Sequence, residues 1–537
     1  MKKLIKSYLR SKYNSRIKKY MHGFQALKNQ NNLDLITILK EELSRTSLGI
    51  TERNTARFIF ETGEYAPDLI LRQFLIVKVL SLEFNKSLLQ AVVCPKREIR
   101  HPLPKKWRNI LEKYGFKANT LHNKLKWTWF VFIHLVLGWR SIFHYILKSI
   151  NFLYINKFEN ETYAYFQSIS ENNLPLSRNN DKQSFDIITW YQNWNGRPSS
   201  VNNFAHSVVN ISNNRDTDNL IFMTLPYPYL NSKKQIIRYI KWGFLVSLYS
   251  FFDIFRGRFW HALLLCESSS SNLVKLLEPN KLAKDYLFHN SNHIFRPLWT
   301  YEAEKKGSRI LFYFYSTNCE TFKTINGYPL QEHNWHVISW SNYLVWDKYQ
   351  ADFIIRFSGN KSCNIQIVGP IWFSTSEKKI PKTQNERIMA VFDVQPMRDS
   401  YYSVLGQSNG YNTPHTVIQL LSDVSDIALQ NNFKIFFKRK RKIGNLVHKK
   451  YFKFVEKLST NNSFIALDPE IDASSLIEIS TAVISMPFTS TAIIAKNLGK
   501  PSIYYDPYGQ LQKNDRASHG IEILSGKMEL ENWIKSL

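Results

Sequence analysis

Apolar residues recur at different spacings along the chain, and the change of spacing divides it. Residues 1–180 read as mostly helical. Leu33–Leu43 and Ala66–Leu82 place apolar side chains three and four residues apart, which predicts amphipathic helices, and Asp68 after Pro67 suits a helix start. The stretch Ser168–Ser184 has almost no apolar pattern and reads as a linker. Beyond it come short β-rich runs: Asp186–Trp190, Asn219–Leu225, His261–Cys266, Asp285–Phe288, Arg309–Tyr315, Trp335–Ser339, Phe353–Arg356 and Ile365–Val368. Helical patterns at Lys233–Phe252 and Ser271–Leu277 lie between some of them, and Gly369-Pro370 closes this α/β region.

The last third is the most regular. Arg387–Asp393 is a buried-strand run, and Thr413-Pro414 then opens a helix with an N-cap and a proline at its first position. Val417, Leu420, Leu421, Val424 and Ala428 form its apolar stripe, and Asn431-Asn432 stops it. Strands Phe433–Phe437, Phe464–Leu467, Ala482–Met486 and Ser502–Asp506 alternate with helices at Leu446–Leu458, Ala473–Ile479 and Ala492–Leu498. Gly499 occupies a left-handed cap position. This alternation predicts a parallel doubly wound sheet, which binds ligands outside the carboxyl ends of its strands.

Two aromatic runs need a separate decision. Trp127–Trp139 and Trp242–Phe255 are 13 and 14 residues long. Both fall short of the ~20 apolar residues of a spanning helix, so each is a core helix or an interfacial one. Trp at both ends of the first, with Lys124, Lys126 and Arg140 around it, suits a bilayer interface. The basic N-terminus lacks an apolar signal-peptide core. The expectation is a cytoplasmic protein, with peripheral contact to the inner membrane through an anionic surface left open.

Composition narrows the classes. The 537 residues are 44% hydrophobic, 21% charged and 15% aromatic, which excludes a disordered or fibrous chain. Four cysteines, none spaced as a CxxC pair, exclude a disulfide framework or a zinc knuckle and suit a reducing compartment. The net charge of +28 points to an anionic partner. Its cations gather in residues 1–20, 96–126 and 433–450. Nucleic acid is disfavoured, because these runs are dispersed and no nucleic-acid-binding module accompanies them.

Candidate chemistry sits where the sheet rule places it. Strand Ala482–Met486 runs through Pro487-Phe488 into Thr489, Ser490 and Thr491, three hydroxyl residues opening a helix. Free N–H groups and the helix dipole there favour phosphate or carboxylate, the alternative being an ordinary N-cap. Strand Phe433–Phe437 ends in Lys438-Arg439-Lys440-Arg441-Lys442, five cations at the same edge. Alternation sends Lys438 and Lys440 to one side, with Arg439 and Arg441 on the other, so one pair can meet a diphosphate. Gln395 and Arg398 follow the strand ending at Asp393, and Asp506 ends the fifth strand, where it can meet a sugar hydroxyl or simply close a turn. In the earlier region Glu267 and Glu302 are candidates for the base that deprotonates an acceptor hydroxyl, with a surface salt bridge as the alternative. Arg296, Trp299 and Tyr301 are candidates for acceptor binding, the rings by stacking on a sugar or simply packing. GxGxxG, Walker A, HExxH and GxSxG motifs in a fitting context are all absent. No metal site is expected.

At this point the sequence resembles a known family. Ile484-Ser-Met-Pro-Phe-Thr-Ser-Thr-Ala492 and Gly499-Lys-Pro-Ser-Ile-Tyr-Tyr-Asp-Pro507 resemble the bacterial polysaccharide biosynthesis PFTS-motif proteins. So do Arg256–Ala262, Tyr286–Asn290, Arg296–Glu304, Leu311–Glu320, Phe392–Pro396 and the Lys438–Lys442 run. The resemblance covers about residues 185–535 and implies assembly of surface or capsular polysaccharide. More distantly, the layout is similar to two-domain GT-B glycosyltransferases that use nucleotide sugars. In their sialyl- and Kdo-transferase relatives a His-Pro motif and a Ser/Thr-rich loop hold the nucleotide. Here the Ser/Thr loop is present, and Lys438–Lys442 stands where His-Pro is expected.

The expected architecture is therefore α/β: two Rossmann-like domains facing a cleft. Residues 185–373 would take the acceptor and 376–537 a nucleotide sugar, after the helical basic region 1–180. The expected function is transfer of sugar from a nucleotide-activated donor to a glycan or lipid-linked glycan acceptor. The donor is a co-substrate, and no other cofactor is expected. A teichoic-type polyol-phosphate transferase and a non-catalytic membrane-surface scaffold are the alternatives.

Overall fold

The computed structural model describes residues 120–153, 164–167, 204–207, 220–223, 225–256, 260–290, 296–314, 316–317, 320, 323, 327–328, 335, 338, 340–358, 362–370, 380–381, 386–396, 411–440 and 447–537. The expected helices at 33–43 and 66–82, the linker at 168–184 and the run Asp186–Trp190 lie outside them.

The first layer system is a seven-stranded sheet. Its strands are β1 (Ala164–Phe166), β2 (Phe204–Ser207), β3 (Leu220–Met223), β4 (Asp285–His289), β5 (Arg309–Tyr313), β6 (Asn342–Val345) and β7 (Asn364–Ile367). They lie in the order β3-β2-β1-β4-β5-β6-β7, and every pairing is parallel. The strand order reverses between β1 and β4, so a topological switch point lies there. β1 belongs to the stretch expected to be helical, yet it is a central strand of this sheet.

Helices α1 (Thr120–Phe152), α2 (Lys233–Phe255), α3 (Trp260–Leu276), α4 (Trp299–Lys305) and α5 (Lys348–Phe357) accompany this sheet. Two runs expected to be strands are helical. His261–Cys266 lies inside α3, which packs against α1, α2 and α4. His261 to Leu265 are all buried, and a helix covered on several sides writes the same continuous apolar run as a buried strand. Phe353–Arg356 lies inside α5, where Gln350, Phe353 and Ile354 are buried at helical spacing. Asp347 starts that helix by accepting the N–H groups of Tyr349 and Gln350. Of Trp335–Ser339 only 335 and 338 are described, and neither is in a strand.

The second sheet holds β8 (Arg387–Phe392), β9 (Phe433–Lys438), β10 (Phe464–Leu467), β11 (Ala482–Ser485), β12 (Ser502–Asp506) and β13 (Glu522–Ser525). Its order, β10-β9-β8-β11-β12-β13 with all pairings parallel, is a Rossmann-type doubly wound arrangement. Its helices are α6 (Pro414–Gln430), α7 (Lys449–Leu458), α8 (Ala473–Ile479), α9 (Ser490–Asn497) and α10 (Gly526–Lys535). Thr413 caps α6 through the Thr416 N–H, with Pro414 in the first turn. Asn432 stops it at φ 59°, and Gly499 closes α9 at φ 69°.

Alternation along β8 divides the core. Ile388, Ala390 and Phe392 join the cluster that continues into the first domain, while Met389 and Val391 pack under α6, α7 and α10. The chain therefore forms two parallel sheets flanked by helices, as expected, with a shared apolar interface.

Candidate functional site

The carboxyl ends of the two sheets meet at the Pro487–Thr491 turn. After β11 the chain passes through Phe488, which is buried at φ 63°. A bulky side chain rarely adopts that left-handed conformation, so the surroundings must hold it. They do so with Tyr504, which meets the Phe488 ring edge-on at 5.6 Å and donates its hydroxyl to the Thr489 carbonyl at 2.7 Å. The Met486 N–H bonds the Phe392 carbonyl at 2.7 Å, tying the turn to the end of β8 across the switch point.

The three hydroxyl residues have different tasks. Thr489 is the N-cap by position, but its side chain caps nothing. Its hydroxyl donates to the Met486 carbonyl at 2.8 Å, so it braces the turn from inside. Thr491 lies 2.8 Å from the Ser485 hydroxyl and 3.2 Å from that of Thr489, again inward. Ser490 faces the first domain: its Oγ lies 3.2 Å from the Thr317 hydroxyl and 3.4 Å from the Thr317 N–H. Thr317 follows β5, so it stands at the carboxyl edge of the first sheet. The first turn of α9, with no side-chain cap, opens at this junction.

Further polar contacts hold the two domains in this relation. Glu320 accepts hydrogen bonds from Arg356 of the first domain at 2.8 Å and Arg516 of the second at 2.5 Å. Asp515 accepts from the Lys323 N–H at 2.8 Å and the Tyr328 hydroxyl at 3.1 Å. His519 and Asp347 pair at 2.6 Å.

The basic run lies two strands away along the same edge. Lys438 is opposite Phe392, and Phe392 is opposite Ser485. Two interstrand spacings put its backbone about 10 Å from that of Ser485. Lys438 is buried, and desolvation lowers its pKa despite the nearby carboxylates of Asp472, Asp393 and Asp468. Lys440 is exposed, and Arg441 lies outside the described residues, as does Arg398. Gln395 is buried in the turn after β8.

Beside Lys438 is a cluster that the pattern of the sequence does not announce. Asp393, directly after β8, is buried, and desolvation pushes its carboxyl up to about 7 against the opposing pull of the Tyr451 hydroxyl, Arg439 and Lys438. Tyr451 donates to Asp393 Oδ2. Asp393 Oδ1, Arg439 Nε and His448 Nδ1 are buried and make no hydrogen bond. Buried orphan groups of both polarities are costly and mark a place where a polar ligand would be welcome. An acidic residue at a strand's carboxyl end was the one available signal in the sequence.

Other candidates have structural tasks. Asp506 is fully buried; Tyr411 donates to its Oδ1 at 2.8 Å, and the Tyr508 and Leu511 N–H groups bond its two oxygens at 3.1 and 2.7 Å. It fastens the turn after β12, the turn-closing role given as the alternative to meeting a sugar hydroxyl. Arg296 is only 1% exposed and bonds Thr300, Ser341 and Glu304, with its guanidinium 3.8 Å above the Tyr301 ring. Trp299 is buried edge-on against Tyr227 at 5.1 Å and Tyr286 at 4.9 Å. Both side chains are thus parts of the first domain's interior, and Trp299 packs there as the alternative reading has it. Glu302 accepts from Lys305 at 2.9 Å, the surface pair of the alternative reading. Glu267 lies in α3, a helix in place of the expected strand end, and accepts the Leu298 N–H at 3.4 Å beside the start of α4. Among the described residues no group of three or more His, Cys, Asp or Glu is arranged to hold a metal ion.

The family comparison agrees with the motifs. The family model described as polysaccharide biosynthesis PFTS motif protein matches residues 246–534. None of the curated proteins matches the chain. Among solved structures, UDP-GlcNAc 2-epimerase from Methanocaldococcus jannaschii is similar at 7% identity and a TM-score of 0.30, over 51% of this chain and 75% of that one. A variant of S. aureus TarM in complex with UDP is similar at 11% identity and a TM-score of 0.30, over 50% and 52%. The lipopolysaccharide outer core galactosyltransferase WaaB is similar at 9% identity and a TM-score of 0.31, over 70% and 88%.

Proposed function

The chain belongs to the polysaccharide biosynthesis PFTS motif family, and on that premise we propose that it is a glycosyltransferase. It moves a sugar from a nucleotide-activated donor to a glycan or lipid-linked glycan in the assembly of bacterial surface or capsular polysaccharide. The observation that carries this reading is the meeting of Ser490 with Thr317, because it sets the carboxyl edges of two parallel sheets against each other at an uncapped helix start. The α9 N–H groups and the Ser490 hydroxyl take the donor's phosphate. Lys438, with Gln395 and Lys440 at the same edge, extends that site, and Arg398 and Arg441 are proposed to add cations to it. Thr489 and Thr491 hold the turn in shape.

In the reaction the acceptor oxygen bonds to the anomeric carbon, and the bond from that carbon to the phosphate oxygen breaks. The leaving phosphate gains charge, which preorganised donors stabilise without reorganising. The acceptor proton goes to a carboxylate on the first domain. We assign this role to Glu267, with Glu302 as the second candidate.

A thermal-shift screen of the full chain against nucleotide sugars tests the reading, since ligand bound to the folded state raises its melting temperature. Stabilisation by a sugar nucleotide, followed by turnover that Glu267→Gln lowers without weakening donor binding, is the expected result. Stabilisation by a nucleotide-activated polyol instead would favour polyol-phosphate transfer. A chain that no activated sugar or polyol stabilises would be a scaffold.

A further inference from the structure

We propose that the outer faces of α1 and α2 form a docking surface for an anionic lipid bilayer, an inference independent of the donor site. The two helices pack on α3 and on each other. At their contact the Ile142 side chain stands where a Cβ on Gly243 would fall, 2.7 Å away, so only glycine admits this approach. One stripe of α1, including Val131, Leu135, Ile142 and Tyr145, is buried.

A second stripe repeats the same spacing on the outside. Leu125, Trp129, Phe132, Val136, Phe143 and Leu147 follow one another at steps of three, four or seven residues and are 43% to 64% exposed. On α2, Phe244, Leu248, Phe252 and Phe255 do the same at 41% to 76% exposure. Single exposed apolar residues are ordinary, but two periodic aromatic faces on adjoining helices mark an interaction site.

Charge selects the occupant. α1 contains no Asp or Glu. The one acid of α2, Asp253, is buried and bonded to His261. Exposed cations flank the apolar faces: Arg140 and Lys148 on α1, and Lys233, Lys234, Arg238 and Lys241 on α2. In the sequence, eight Lys and Arg of residues 96–119 precede α1, and Lys124 and Lys126 belong to it. A second copy of the chain would set these cations against their equals, whereas anionic headgroups complement them. No helix of the described residues is long and apolar enough to cross a membrane. Aromatic and basic side chains on one face suit helices lying in the interface plane.

The test is co-sedimentation of the full chain with phosphatidylglycerol-containing vesicles and with neutral phosphatidylcholine vesicles, at low and high salt, with light scattering alongside. The expected result is binding to the anionic vesicles that salt weakens. Phe244→Ser with Phe252→Ser lowers the partition coefficient about tenfold or more, from the lost burial of two rings. Lys233→Glu with Lys234→Glu, which leaves every apolar contact intact, also lowers it. No binding to anionic vesicles at low salt overturns the proposal, as does unchanged binding by both variants. A dimer in solution that Phe244→Ser with Phe252→Ser dissociates overturns it too, because the surface would then belong to a second copy.

Discussion

Thr317 and Ser490 stand 173 residues apart in sequence and meet hydroxyl to hydroxyl at 3.2 Å. Thr317 follows a strand of the first sheet, and Ser490 is the first residue of the helix that follows the PFTS turn. Each comes from a carboxyl edge, so this contact aligns the carboxyl edges of the two sheets. It also separates Ser490 from its neighbours, since the hydroxyls of Thr489 and Thr491 bond within their own turn.

That separation yields a paired prediction. Ser490→Ala weakens nucleotide-sugar affinity about tenfold or more, because a hydrogen bond to a charged group contributes about 1.5–3 kcal/mol. Its unfolding free energy falls by about 1 kcal/mol, because the contact with Thr317 is lost. Thr489→Ala also loses about 1 kcal/mol, with the bond to the Met486 carbonyl, but keeps the affinity of the parent. Calorimetric binding and urea unfolding on both variants check this. Equal affinity for the parent and Ser490→Ala removes the helix start from the donor site.

Asp393 gives a prediction in pH. Burial holds its carboxyl at about 7 in the folded chain against an ordinary value of 3.8. The folded state therefore keeps a proton that the unfolded state loses, and raising the pH from about 4 to about 7 costs stability through this group. Below that window both states are protonated, and above it the cost is constant. A displacement of this size is linked to about 2–4 kcal/mol. Asp393→Asn, which still accepts the Tyr451 hydroxyl, is expected to gain stability over the parent by that amount between pH 4 and pH 7. Denaturant midpoints at pH 4.5 and 7.5 measure it, and a gap independent of pH contradicts the burial argument.

Arg296 separates interior from acceptor site. Arg296→Met removes its bonds to Thr300, Ser341 and Glu304 and leaves the Glu304 carboxylate without its cation. The expected loss is about 1–3 kcal/mol, from the hydrogen bonds of a buried guanidinium whose partner carboxylate is partly in water. An unchanged unfolding curve with a raised acceptor KM would return Arg296 to the acceptor site.

The second domain was legible in the sequence for a local reason. Its strands, caps and stops are short-range signals: Thr413-Pro414 opens α6, Asn432 ends it, and Gly499 ends α9 wherever the rest of the chain goes. The PFTS turn and the basic run could be set at a binding edge because every strand in such an alternation leaves the sheet on the same side. Tertiary structure decided what those signals leave open. His261–Cys266 became helix because α1 and α2 cover α3, and an apolar run carries no period once several sides are buried. Asp506 and Arg296 became internal fastenings because partners distant in sequence, Tyr411 and Ser341, engage them. Asp393 acquired its raised pKa from desolvation, a property of the packed surroundings and not of the residue. Residue type and spacing determine which groups can do chemistry, and contacts between distant segments determine which of them are left to do it.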